Sequence, residues 1–219
     1  MTKKEIKILT AKLEKCYTGV IYDVMRNLGL KDFTLPPDIR PLIPGINIAG
    51  PVFTMSGSRK KIGSHETLLE WTGFLSKAKP EHVVICQPNE EEIALMGELS
   101  AETLMSRGIR GYIVDGGCRD TNFIIRQGFP VFHKYFTPKD IVEKWSPDAY
   151  DVSISIGDVE INPGDFVLGD RDGIVIIPKE HSVEILELSE EAMQTENLVR
   201  KAILEGMDPQ KAYIKYRKF

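Results

Sequence analysis

Cysteine is scarce. Cys16, Cys86 and Cys118 are odd in number and far apart, so they make neither a disulfide framework nor a zinc-ligand spacing. There is no excess of positive charge. Against 32 Asp and Glu stand 28 Lys and Arg, a formal net charge of −4, which gives no electrostatic reason to expect nucleic acid as a direct ligand. No apolar run is long enough to span a bilayer, and the start, MTKKEIKILTAKLEK, is charged and amphipathic rather than a signal peptide. These absences fit a reduced, cytoplasmic setting with no membrane and no nucleic-acid partner. Catalytic signatures are missing too. The four histidines (His65, His82, His133, His181) are scattered, and no Gly-x-Ser-x-Gly elbow, phosphate-binding loop or dinucleotide fingerprint occurs.

What is present describes an ordinary globular domain. Hydrophobic residues make up 42% and charged residues 27% of 219 positions, enough to bury roughly 70% of the unfolded surface. Residues 3–15 read as a helix, and Thr18 looks like the N-cap of a second one closed by Gly29. The span 34–45 is proline-rich and irregular. A β-like run, Ile46–Met55, precedes a polar and basic loop, Ser56–Lys61, and a helix over Thr67–Ser76. From 82 to 136 the order is β-α-β-α-β, with strands at 82–86, Tyr112–Val114 and Pro130–Phe136, which argues for parallel crossovers. Short strands then follow at Val152–Ile156, Val159–Ile161, Phe166–Leu168 and Ile174–Ile177, separated by Gly-Asp, Pro-Gly-Asp and Asp-Gly turns as in hairpins. A long helix over about 179–205 and a short one after Asp208-Pro209 close the chain. The expectation is one mixed α/β layered domain over 1–219, with helical additions at 1–30 and 179–219.

The most informative stretch is 97–120, GELSAETLMSRGIRGYIVDGGCRD. Glu98 heads a helix with Leu99, Thr103 and Leu104 as its apolar stripe, and Arg107-Gly108 ends it. Tyr112-Ile113-Val114 is a strand broken by Asp115-Gly116-Gly117, after which Arg119 and Asp120 open the next helix. Both ends of the stretch thus face the carboxyl edge of a parallel sheet, where crevice ligands bind. Carboxylates with one arginine suit a hard cation such as Mg²⁺ or Mn²⁺ that keeps several waters, and a guanidinium suits a substrate carboxylate. Cys118 reads better as a small residue packed under a tight turn than as a nucleophile, since nothing supplies a base. Arg59-Lys60-Lys61 could take an anionic tail, or be a solvated loop. Asp23 and Asp172 read as structural.

These residues resemble the class II 4-hydroxy-4-methyl-2-oxoglutarate aldolases, a family that also includes the regulator of ribonuclease activity A. The likeness runs through Gly97-Glu98-Leu99, Arg107-Gly108, Gly111 to Gly116, Arg119-Asp120 and Gly128-Phe129-Pro130-Val131-Phe132. It also covers Thr18–Leu28, Ile39-Arg40-Pro41, Gly50 to Thr54, and Asn162-Pro163-Gly164-Asp165 through Asp172-Gly173-Ile174-Val175. An acid, twenty intervening residues and then Arg-Asp is the family's site motif, and Glu98 to Arg119-Asp120 has that spacing.

The resemblance implies a swivelling β/β/α-type domain with a mixed sheet, assembled as a homotrimer or a dimer of trimers. It implies a divalent metal near Asp120, held largely through waters, with a neighbour's C-terminal helix adding an acid, by position Glu196. Gly97, Glu98, Leu99, Arg119 and His65 would bind substrate, and Arg119, Glu98 and Asp120 would be catalytic. The implied reaction is cleavage of a small 2-oxo acid through a metal-stabilised enolate, releasing pyruvate, or decarboxylation of oxaloacetate. The family's other role, a non-catalytic protein that binds an RNA-processing enzyme, belongs to a different class of function. One departure stands out: Phe123 occupies the position where the family's aldolases carry Glu or Asp. An apolar ring cannot hydrogen-bond a metal's waters, so a related lyase, decarboxylase or dehydratase is implied alongside the usual aldolase.

Overall fold

Successive side chains of a strand point to opposite faces, so the unbroken apolar runs Val83-Val84-Ile85-Cys86 and Tyr112-Ile113-Val114 require cover on both sides. A computed structural model, which describes residues 1–219, shows that cover. Its elements in chain order are α1 (Lys3–Leu13), α2 (Thr18–Asn27), β1 (Arg40–Pro41), β2 (Ile48–Arg59), α3 (Ser64–Lys77), β3 (Val83–Gln87), α4 (Glu98–Ser106), β4 (Gly111–Val114), β5 (Gly117–Cys118), α5 (Thr121–Gln127), β6 (Val131–His133), β7 (Tyr135–Phe136), β8 (Trp145–Tyr150), β9 (Ile154–Ile156), β10 (Val159–Ile161), β11 (Phe166–Gly169), β12 (Ile174–Ile177), α6 (Ser182–Leu204) and α7 (Pro209–Tyr216).

The main sheet is mixed, in the order β1-β6-β4-β3-β2-β11-β12, with β8 also on β2. The strands β2, β3, β4 and β6 run parallel, as the β-α-β-α-β order requires. On its other edge β2 is shared. Ile48–Pro51 pairs antiparallel with β11, and Met55–Arg59 pairs antiparallel with β8.

Three apolar layers follow from strand alternation. Val84, Cys86, Tyr112 and Val114 pack with Trp71, Phe74, Leu104 and Ile124 of α3, α4 and α5. Val83, Ile85 and Ile113 face the other way, onto Ile154, Ile156, Val159 and Ile161 of the β9–β10 hairpin. In β11 and β12 the residues Phe166, Leu168, Val175 and Ile177 lie against Leu13, Ile21, Met25 and Ile185 of α1, α2 and α6. Each such aliphatic side chain, fully buried, contributes about 1.5–3 kcal/mol of transfer free energy. The result is a swivelling β/β/α-type arrangement with helices added at both chain ends.

Three local expectations are corrected, and one strand was not foreseen. Ser56–Arg59 is strand rather than loop, because it pairs with Ala149, Pro147, Ser146 and Trp145. β8 itself is hidden in sequence by Pro147, which the sheet tolerates beside the register shift at Ser56/Gly57. The run Pro130–Phe136 is split into β6 and β7, and the intervening Lys134 N–H donates to the Gly116 carbonyl at 2.9 Å. Thr18 is the first helical residue and not a cap; its N–H and hydroxyl both donate to Asp170, each at 2.8 Å.

Candidate active site

Loops leaving the carboxyl ends of β3, β4 and β6 are tied together by backbone hydrogen bonds. The Leu95 N–H donates to the Gly117 carbonyl, Arg119 N–H to the Met96 carbonyl, and Ala94 N–H to the Lys139 carbonyl, at 2.9, 2.9 and 2.8 Å. The β5–β7 pair adds Gly117 opposite Tyr135 and Cys118 opposite Phe136. Each bond contributes on the order of 1 kcal/mol net, and jointly they fix Gly97-Glu98, Arg119-Asp120 and Asp140 around one opening. That opening is a cleft of about 550 Å³ whose lining includes Gly97, Glu98, Leu99, Arg119, Asp120 and Asp140. Larger depressions near Tyr22 to Pro37 and Met25 to Lys179 are not lined by the Arg-Asp pair.

Asp120 adopts a left-handed backbone, φ 54° and ψ 29°, one residue before α5. Asp tolerates this region better than most residues. Although it stands at the N-cap position of α5, its side chain makes no cap bond there. It reaches instead to α4, where its Oδ2 accepts from the Glu98 N–H at 3.2 Å. The same oxygen lies 3.4 Å from Arg119 Nε, and Asp140 Oδ2 lies 3.5 Å from Arg119 Nη1. Both separations exceed a normal hydrogen bond, so two carboxylates flank the guanidinium and leave its donors available. Gly97 makes this approach feasible: a Cβ there would sit 2.7 Å from Asp120 Oδ2 and 3.4 Å from Arg119 Nε.

The first turn of α4 supplies further donors. The Leu99 and Ser100 N–H groups have no acceptor within the chain, as at any helix start without a full cap. Ser100 Oγ accepts from Trp71 Nε1 at 2.9 Å, which ties α3 to the cleft wall. Leu99 is 76% exposed, so it is not part of α4's buried stripe; Ala101 and Leu104 fill that role.

Two expected site residues are not brought here within one chain. His65 lies exposed in the first turn of α3 and does not line the cleft, which begins one turn later at Leu68. Glu196 lies on α6, where it accepts from the Tyr17 hydroxyl and pairs with Lys218 Nζ at 3.1 Å. Burial, then Glu196, pushes the Tyr17 hydroxyl up to about 12. Two of the three cations in the Arg59-Lys60-Lys61 run are already engaged: Arg59 pairs with buried Glu90 and with Glu92, and Lys60 with Asp148. Phe123, 45% exposed, stands under the Arg126 guanidinium at 4.5 Å and stays outside the cleft lining. The Cys118 thiol is buried and raised to about 12, chiefly by burial, so it is inert packing beneath the turn.

Asp140 was missed in sequence. It follows β6 as Asp120 follows β4, so the rule that crevice ligands gather beyond parallel strand ends applied to both.

Residues 18–176 match the RraA-like family, described as Aldolase/RraA. An uncharacterized protein of Methanocaldococcus jannaschii is 32% identical over 204 residues, covering 90% of this chain and 95% of its own length. DlpA of Legionella pneumophila is 29% identical over 90% of the chain, which spans only 32% of DlpA. A 4-hydroxy-4-methyl-2-oxoglutarate aldolase of Thermus thermophilus is 30% identical over 86 residues, 39% of this chain and 52% of the aldolase. The crystal structure of Streptomyces coelicolor RraAS2, an unusual member of the RNase ES inhibitor RraA protein family, superposes with a TM-score of 0.78 at 25% identity, covering 88% of this chain and 95% of that one. The match extends from α2 into β12 and so includes every residue named in the cleft: the chain belongs to the RraA-like family.

Proposed function

We propose that this chain is a divalent-metal-dependent carbon–carbon lyase that releases pyruvate from a small 2-oxo acid. The observation that carries the reading is the convergence of Arg119, Asp120 and the open first turn of α4 on one cleft. Nothing in the geometry calls specifically for the alternative, a protein-binding regulator.

The donor set fits a cation that keeps its waters. Asp120 spends Oδ2 on α4, which leaves Oδ1 to hold Mg²⁺ or Mn²⁺. No group of three or more His, Cys, Asp or Glu gathers as a complete cage. One or two carboxylates plus waters and substrate oxygens is the usual way such hard ions are bound. When bound, the cation would supply Lewis-acid polarisation of the substrate's keto oxygen.

The chain's own groups do the rest. Arg119 and the N–H groups of Leu99 and Ser100 orient the substrate carboxylate, and fixed donors of this kind stabilise negative charge as it develops on the keto oxygen. Cleaving the bond between C3 and C4 leaves its electron pair on the pyruvate fragment as an enolate and turns the C4 hydroxyl into a carbonyl. Glu98, half-buried at the cleft and accepting no hydrogen bond at its carboxylate, takes the hydroxyl proton. Glu196 would reach the cleft only from a neighbouring copy, as in the trimer that the resemblance implies.

The test is release of pyruvate from 4-hydroxy-2-oxopentanoate and from oxaloacetate, with Mg²⁺ and with EDTA. Turnover should need the metal and fall at least about 10²-fold in Arg119→Ala, the scale of losing a fixed charge donor. Activity indifferent to chelation removes the cation from the reading; no pyruvate from either substrate removes the reaction.

A further inference from the structure

Several hydroxyls on the two helices beside the cleft are spent on their own backbone. Thr72 and Ser76 of α3 and Thr103 and Ser106 of α4 each donate to a carbonyl three or four residues earlier, at 2.7–2.9 Å. That is the usual sink for a helical Ser or Thr proton. Ser100 breaks the pattern. The carbonyls it would use, those of Met96 and Gly97, already accept from the Arg119 N–H at 2.9 Å and the Ala101 N–H at 3.0 Å. Its Oγ is partnered instead by Trp71 Nε1, at 2.9 Å.

This partner decides what the hydroxyl can do. An indole N–H only donates, so Ser100 Oγ is the acceptor and its own proton stays uncommitted. Trp71 is 7% exposed, and its ring packs against Phe74 and Trp145 at centroid separations of 5.1 and 6.0 Å. The indole therefore has little freedom to turn away. A hydroxyl that accepts one hydrogen bond is also a better donor of the next, because the two bonds polarise each other. Ser100 and Trp71 both line the cleft that holds Arg119 and Asp120. A spare, polarised donor thus stands on the cleft wall, on the same residue as one of the free amides of α4.

We infer that Ser100 binds substrate through its side chain: its hydroxyl donates to the carboxylate of the bound 2-oxo acid, and Trp71 is the positioning residue that holds it ready. The inference rests on the reading that the cleft binds a 2-oxo acid, and it adds a side chain to donors otherwise drawn from Arg119 and the backbone. Alanine is the best helix former, so Ser100→Ala removes the hydroxyl while leaving α4 and its amides in place.

The test is isothermal titration of the full chain with oxalate, a planar mimic of the pyruvate enolate, in the presence of Mg²⁺. A hydrogen bond to a charged group accounts for about 10- to 100-fold in affinity, so Ser100→Ala should weaken oxalate at least about tenfold. Ser100→Thr keeps the hydroxyl and should stay within about threefold of wild type. Trp71→Phe removes the orienting N–H but keeps an aromatic ring, and should weaken oxalate only about three- to fivefold. Wild-type affinity in Ser100→Ala overturns the inference. So do equal losses in Ser100→Ala and Trp71→Phe, the result expected of a serine that only ties α3 to α4, and equal losses in Ser100→Ala and Ser100→Thr. Failure of the wild type to bind oxalate at millimolar concentration overturns the underlying reading instead, and the role of Ser100 falls with it.

Discussion

Asp120 and Asp170 both sit in a turn next to an arginine, and they have little else in common. Asp170 is buried and accepts four hydrogen bonds, from the Thr18 N–H and hydroxyl and from the Asp172 and Gly173 N–H groups. It ties the β11–β12 turn to the start of α2. Asp120 has a side chain 40% exposed, accepts one long hydrogen bond and holds a left-handed backbone. A carboxylate whose lone pairs are all used is an anchor. One left half-satisfied at the mouth of a cleft is free to meet a ligand.

Exchanging the two losses is the strongest way to break this contrast. Asparagine at 120 keeps the left-handed turn and the bond to α4 while removing the charge. Asp120→Asn should therefore cut pyruvate release by about 10²- to 10³-fold and leave the melting temperature nearly unmoved. Asp170→Ala should do the reverse, costing about 3 kcal/mol because the Thr18 and turn donors lose their acceptor, with a drop in Tm of about 6–12 °C. The refolded fraction should keep its kcat/KM. Equal damage to both properties in both variants would erase the distinction.

A smaller effect sharpens it. Gly97→Ala places a methyl against Asp120 Oδ2, so turnover should fall about tenfold while stability changes by less than about 1 kcal/mol. Activity unchanged in this variant would mean that Asp120 does not need its present position.

The smallest effect concerns a third carboxylate, again of the anchoring kind. Glu90 is buried and held below its ordinary 4.5 chiefly by Arg59, with the Glu92 N–H donating as well. A carboxyl whose folded pKa is depressed contributes stability that is present above its unfolded value and lost as pH falls through the folded one. Wild-type stability should decline below about pH 4.5, and the Tm gap between wild type and Glu90→Gln should narrow from pH 6 to pH 3. A gap constant with pH would deny Glu90 that role.

Much of this architecture was legible in the chain, for physical reasons that also explain the gaps. The parallel strands announced themselves because a strand covered on both faces must be apolar throughout, as Val83–Cys86 is. Gly108, at φ 76°, ended α4 where a left-handed residue was needed. The Arg119-Asp120 pair was visible because strand, glycine turn and helix start fix where it points. β8 was not visible, since Trp145-Ser146-Pro147-Asp148 lacks alternation and depends on β2 for its partner. Asp170 was equally hidden, its value lying in a contact 152 residues away in sequence. Leu99 misled because an apolar residue at helical spacing reads as core, whereas here it faces the cleft. His65 and Glu196 rested on likeness alone, and side chains within one copy do not carry them to Arg119.

One strand sets how the molecule can be divided. β2 is flanked by β3 on one edge and by β11 and then β8 on the other, neighbours drawn from both halves of the sequence. A fragment lacking residues beyond about 140 would leave one whole side of that twelve-residue strand bare. Such an edge is an invitation to aggregate rather than a foldable remnant. Cutting the chain before β8 is therefore expected to give an aggregating fragment, whereas substitutions around the cleft leave β2 paired on both edges.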